Sequence, residues 1–177
     1  MDNDWKSNKK RFLDKIDCVD CSFCTTAPEV LKFPKKNKVY YFPNPADQSF
    51  ENLKVYENKR PKHDVFFAMS HGVHRGILKK GKVDKREIFL NKLIKITPNI
   101  KFDLYGFKNK QPIWADNFKN ALYDCKMGIN LSQGPSTKYY SSDRITSLIA
   151  NGLMTFIDRK TKLNKFFSNS EVVFYNS

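Results

Sequence analysis

The chain has 177 residues, 40% of them hydrophobic and 14% aromatic, a balance that suits a packed core and excludes a disordered or collagen-like chain. No apolar run approaches the ~20 residues that span a bilayer. The start, MDNDWKSNKK, has no apolar h-region, so the expectation is a cytoplasmic protein. A net charge of +14, from 32 Lys and Arg against 18 Asp and Glu, favours anionic partners: nucleotides, nucleic acid or the acidic inner membrane leaflet. The lysines are spread along the whole chain, which argues against a dedicated nucleic-acid face.

Residues 4–15 carry Trp5 and Phe12 among Lys and Asn, followed by Ile16, a weak amphipathic helix. Residues 16–25 read as a strand, 28–33 as a short helix with Pro28 at a permitted early position, and 39–42 as a second strand stopped by Pro43-Asn44-Pro45. Cys18, Cys21 and Cys24 have the spacing of a metal site. On a strand, however, alternate thiols point to opposite faces, so the expectation is reduced thiols, with Cys125, and no metal. Residues 48–62 are polar and charged and read as a linker.

The apolar strand 63–70 opens a second α/β run. It leads into HGVHRGILKKGKVDK, a glycine-bearing loop with Arg75 and Lys79, Lys80, Lys82 and Lys85 ahead of a helix, features that let backbone amides and cations approach an anion. Helix 84–97 should turn Ile88, Phe89, Leu93 and Ile96 to the core. Strand 101–106 ends at Gly106, Trp114 is expected to pack, 118–123 reads as a helix, and 127–131 as a strand before the loop SQGPST.

The stretch 139–158 holds the sharpest signal. Ser141, Ser142 and Asp143 are N-cap types, Ile145, Leu148 and Ile149 follow at helical spacing, Asn151-Gly152 stops the helix, and Met154 starts an apolar strand. Free N–H groups, two hydroxyls and Arg144 at a helix start make a phosphate cradle. A short helix at 163–167 and a strand at 171–175 complete the pattern. Strands alternating with helices predict an α/β fold, a Rossmann-like doubly wound parallel sheet, with both basic features on the rim formed by strand carboxyl ends.

Arg144, Ser147 three residues on, and Ala150-Asn151-Gly152 before a strand resemble the donor-side motif of GT-B glycosyltransferases, roughly Arg-x-x-Glu-Ala-x-Ala-x-Gly. The resemblance is greatest to the group-1 type of the spore-maturation-protein-like branch. Asp20, Phe23 and Thr25-Thr26, then residues 41–47, resemble the last repeat of that family's acceptor domain and its exit. The resemblance implies the tail of an acceptor domain at 1–47, a linker at 48–62 and a truncated donor-binding domain at 63–177. It implies that Arg75, Lys82, Arg144, Ser141 and Ser142 hold the diphosphate of a nucleotide-sugar. Gly72, Tyr105, Gly106, Asp143 and Ser147 would line the nucleotide and sugar, Ser147 standing where the family has a ribose-binding Glu. The implied function is transfer of a sugar to a glycan or lipid-linked acceptor hydroxyl in surface polysaccharide or glycan synthesis, with no cofactor and no metal. That work would be done in the cytoplasm or against the inner face of the membrane, and this stretch alone would be inactive. The residues by themselves leave open a non-catalytic basic module for phosphate or nucleic acid, and an inactive glycosyltransferase fragment.

Overall fold

A computed structural model describes residues 10, 13–16, 18–70 and 84–176. The first unit is small. Strand β1 (Ser22–Cys24), helix α1 (Pro28–Leu31) and strand β2 (Val39–Tyr41) form a two-stranded parallel sheet, Ser22 opposite Val39, with Cys24 and Leu31 at its core. Lys32 ends α1 in the left-handed conformation. The strand expected over 16–25 is much shorter: residues 13–16 are helical, and the Cys18 amide closes a turn on Lys15 O. Strand alternation therefore does not separate the three thiols. Cys18 is exposed, Cys21 half-buried, and Cys24 buried with its Sγ donating to Thr26 O.

The second unit is a five-stranded sheet of β3 (His63–Ala68), β4 (Phe102–Tyr105), β5 (Cys125–Asn130), β6 (Met154–Asp158) and β7 (Val173–Tyr175). The order is β4-β3-β5-β6-β7 and every pair is parallel. Parallel neighbours need crossovers. Helices α2 (Lys85–Ile96), α3 (Ala115–Tyr123) and α4 (Asp143–Ala150) lead into β4, β5 and β6. Leu90 of α2 packs with Val65, Phe67, Leu104 and Ile129 on one face, while Leu122 of α3 and Leu148 of α4 pack with Phe66 on the other. This is the doubly wound arrangement the alternating pattern predicts. Strand order reverses between β3 and β5, so the crevice at their carboxyl ends is where such a sheet opens a ligand site.

Two local features set that crevice. Gly106 has φ +67, and a Cβ there would lie 1.8 Å from Met69 O, so only glycine lets the exit of β4 pass this close to the exit of β3. Helix α2 keeps half of its expected face: Phe89 and Leu93 pack against the core, but Ile88 and Ile96 are 59% and 65% exposed, while Arg86 and Leu90 are buried. The cause lies in the cap. Asp84 accepts from the Arg86 amide at 2.9 Å, and its carboxylate takes the guanidinium at 2.6–3.1 Å, a paired charge that can be buried. With residue 86 inward, 90, 93 and 94 follow at helical spacing.

The chain before β3 is laid along α4. The Asn44 amide donates to Ser141 Oγ, its side chain donates to Asp143 Oδ1 at 2.6 Å, and Thr146 Oγ1 donates to Asn44 O at 3.0 Å. At the other end of the helix Leu53 N donates to Asn151 Oδ1 and Val55 N to Asn151 O, with Val55 buried. The stretch 48–62 thus carries apolar anchors despite its polar composition. No described helix is long and apolar enough to cross a membrane.

Candidate anion-binding cleft

Ser142 is the N-cap of α4, in extended conformation, and its side chain makes no cap hydrogen bond. Its Oγ donates instead to Asn130 Oδ1 at 3.3 Å. The first amides of the helix are therefore not closed off by the cap, and the helix dipole adds partial positive charge there. The Ile145 and Thr146 amides turn back to Ser142 O.

Arg144 reaches from that first turn across the sheet crevice. Its Nε donates to Ala68 O at 3.2 Å and its Nη1 to Leu131 O at 2.8 Å, so one guanidinium bridges the carboxyl ends of β3 and β5. Its carbon lies 5.0 Å from the Phe67 ring centroid. The side chain is partly buried and held by backbone carbonyls. Among the described residues, two of its five N–H donors are used. Among the described residues no carboxylate comes within ion-pair range of it. Burial, with repulsion from Arg86, lowers its pKa from 12.5 to about 10. The group stays charged at neutral pH, at a desolvation cost on the order of 3 kcal/mol. The result is a charged guanidinium held by two neutral carbonyls at a helix start.

The space in front of it is a cleft of about 330 Å³ whose wall includes Ser70, Trp114, Asp143, Arg144 and Ser147. Trp114, expected to pack, is 58% exposed and presents its indole at this cleft. The next residue, Ala115, has φ +51, a left-handed value that costs an alanine about 1–2 kcal/mol and holds the turn from loop to α3. A second cavity, about 370 Å³, lies between Tyr41, Pro43, Ile149 and Phe166 and has no charged lining residue.

Of the residues singled out in the sequence, Asp143, Arg144 and Ser147 meet at the cleft. Ser142 sits at its edge, engaged with Asn130. Ser141 is buried, donates its amide to Thr25 O at 2.8 Å, and faces the apolar cavity. Tyr105 faces a different cavity beside Lys110, whose Nζ is 3.8 Å from its ring centroid. Gly106 shapes the crevice through its backbone, as described above. Gly72, Arg75 and Lys82 lie outside the described residues. Sequence reasoning missed three groups: the carbonyls of Ala68 and Leu131, invisible in any side-chain pattern, and Asn44. The two prolines flanking Asn44 were the available signal, because they hold it extended and free to face a partner.

Compared with known proteins, residues 85–177 match the model of a family described as glycosyl transferase-like. No curated protein and no solved structure matches the chain.

Proposed function

The chain belongs to the glycosyl transferase-like family, and from that premise we propose that it binds a nucleotide-sugar donor in the Arg144 cleft for transfer of the sugar to an acceptor hydroxyl. The observation that carries this reading is the charged guanidinium that spans Ala68 O and Leu131 O and, among the described residues, makes no ion pair. Its remaining N–H groups and the first amides of α4 would donate to diphosphate oxygens. In the transfer, the bond from the anomeric carbon to the phosphate oxygen breaks and its electron pair goes to the diphosphate. The acceptor oxygen bonds to that carbon and gives up its proton to a base. Positive groups already in place where the leaving charge grows would lower that barrier. Trp114 offers a stacking face for the base or sugar, and Ser147 a single hydroxyl where the family carries a carboxylate. The Gly72, Arg75 and Lys82 segment, which follows β3 in the chain, adds further cations to the diphosphate.

In this reading residues 63–177 are the donor-binding unit, 48–62 join it to its partner, and 1–47 are the last repeat of an acceptor-holding domain. The acceptor is then a glycan or lipid-linked hydroxyl, met at an acidic membrane surface on the cytoplasmic side, and residues 1–177 alone bind donor without turning it over. Calorimetric titration with UDP, GDP, ADP and CMP, and with their sugars, tests the core of the proposal. One diphosphate should bind, and Arg144→Ala should weaken it about tenfold to a hundredfold, the 1.5–3 kcal/mol of a charge-assisted contact. Unchanged nucleotide affinity in that variant, together with lost affinity for single-stranded RNA, would favour the nucleic-acid reading.

A further inference from the structure

Three metal-ligating side chains meet at the end of the sheet opposite the cleft. His63 is the first residue of β3, Cys125 the first of β5 and its partner in register, and Asp103 is the second residue of β4. One ligand atom from each lies within 4.8 Å of the others. Cys125 and Asp103 are buried. The His63 ring is 36% exposed, yet its Nδ1 is buried with no hydrogen-bond partner. Native folds rarely leave a buried ring nitrogen unpaired, and one that is unpaired calls for an explanation such as a bound ion.

The carboxylate has Lys110 and His63 beside it, with the Tyr105 hydroxyl also within its reach. Asp103 Oδ1 accepts from Lys110 Nζ at 2.5 Å, while Oδ2 stands 3.9 Å from His63 Nδ1, too far for a hydrogen bond. A gap of that width among an imidazole, a thiol and a carboxylate oxygen leaves room for a cation. Beside it opens a polar cavity of about 620 Å³, lined by His63, Asp103, Lys110, Asn117 and Asp124, which gives an ion and a water their route. A Cys-His-Asp nucleophilic relay fits less well: the thiol is wholly buried and does not line the cavity, and the His–Asp hydrogen bond is not made.

We propose that His63, Asp103 and Cys125 bind one divalent transition-metal ion of the zinc class. The ligands are an imidazole nitrogen, the Cys125 thiolate and Asp103 Oδ2, with a water from the cavity in the fourth position. Binding releases the thiol proton to solvent, and the dication with its thiolate and carboxylate is electrically neutral. Lys110 keeps its hold on Oδ1 and orients the carboxylate. The ion ties the starts of three adjacent strands together and takes no part in chemistry at the rim.

The test uses the full chain carrying Cys18→Ser and Cys21→Ser, which removes the other accessible thiols. After stripping with a chelator, zinc is titrated against a chromophoric competitor, and cobalt is added as a spectroscopic substitute. One zinc per chain and a thiolate-to-cobalt charge-transfer band are expected. Cys125→Ser should abolish the band. His63→Gln, at a part-exposed position that leaves the circular dichroism unchanged, should weaken zinc by more than about 100-fold, beyond the loss of an outer-shell partner. Absence of stoichiometric zinc, or zinc affinity unmoved by both variants, would overturn the proposal. UDP affinity is a separate readout, so either result leaves the cleft reading standing or falling on its own measurement.

Discussion

Arg144 holds the folded state in a state of unmet demand. Its pKa, lowered to about 10 by burial and by Arg86, measures a cost carried at every pH at which the protein works. Arg144→Met keeps the volume and removes the charge. It forfeits two hydrogen bonds worth about 1 kcal/mol each but recovers the desolvation penalty. Thermal unfolding should therefore find Arg144→Met within about 2 kcal/mol of the parent. Added nucleoside diphosphate should raise the melting temperature of the parent and leave that of the variant unmoved. A variant that collapses outright would show the guanidinium to be a structural bridge only. Gly106 makes an opposite demand, for space. In Gly106→Ala the new methyl meets the Met69 carbonyl in a conformation alanine resists, costing about 1–2 kcal/mol for the backbone and 1–3 for the clash. Denaturant unfolding should register a loss of at least 2 kcal/mol; a neutral result would mean that β4 exits differently.

The elements were legible in proportion to how apolar their signals were. The α4–Gly152–β6 unit follows its cap, stop and apolar run, and Gly152 takes φ +87 as a helix-ending glycine does. Helix α2 was legible as a helix but only half in its facing, since Phe89 and Leu93 pack inward and Ile88 and Ile96 do not. A hydrophobic count scores arginine as outward, and the Asp84–Arg86 pair, closed within two residues, carries that arginine in. Strand 16–25 was overread for the related reason that cysteines count as apolar, although Cys18 lies in a solvent-facing turn. The facing of α2 is open to a direct test. Leu90→Ala should cost 2–5 kcal/mol as a cavity substitution. Ile88→Ala, on the exposed side, should stay within about 0.5 kcal/mol in the same denaturant titration. Equal losses would restore the face read from the sequence.

For the whole molecule, periodicity made the parallel, doubly wound sheet and the rim of its strand carboxyl ends legible, because both follow from strand–helix alternation and handedness. The floor of the site was not legible, since main-chain carbonyls leave no mark on residue identity. Acid stability is likewise a property of the assembled sheet. Asp64 accepts from the Lys101 amide and from Lys126, bonds that lower its pKa below 3.8. A carboxyl depressed on folding stabilises fully above its unfolded value, and that stabilisation is lost as pH falls through the folded one. Asp64→Asn should therefore shrink the difference in unfolding free energy between pH 6 and pH 3; an unaltered difference would locate the acid sensitivity elsewhere. The path of residues 44–55 carries a mechanical consequence. Pinned at Asn44 to the first turn of α4 and at Leu53 and Val55 to its last residue, this segment is a splint and not a tether. Residues 18–42 cannot swing on it freely. Thr25 O also takes the Ser141 amide and Ala27 N donates to Lys138 O, so the small unit is fastened at both ends of the approach to α4, whose first turn holds the guanidinium across β3 and β5.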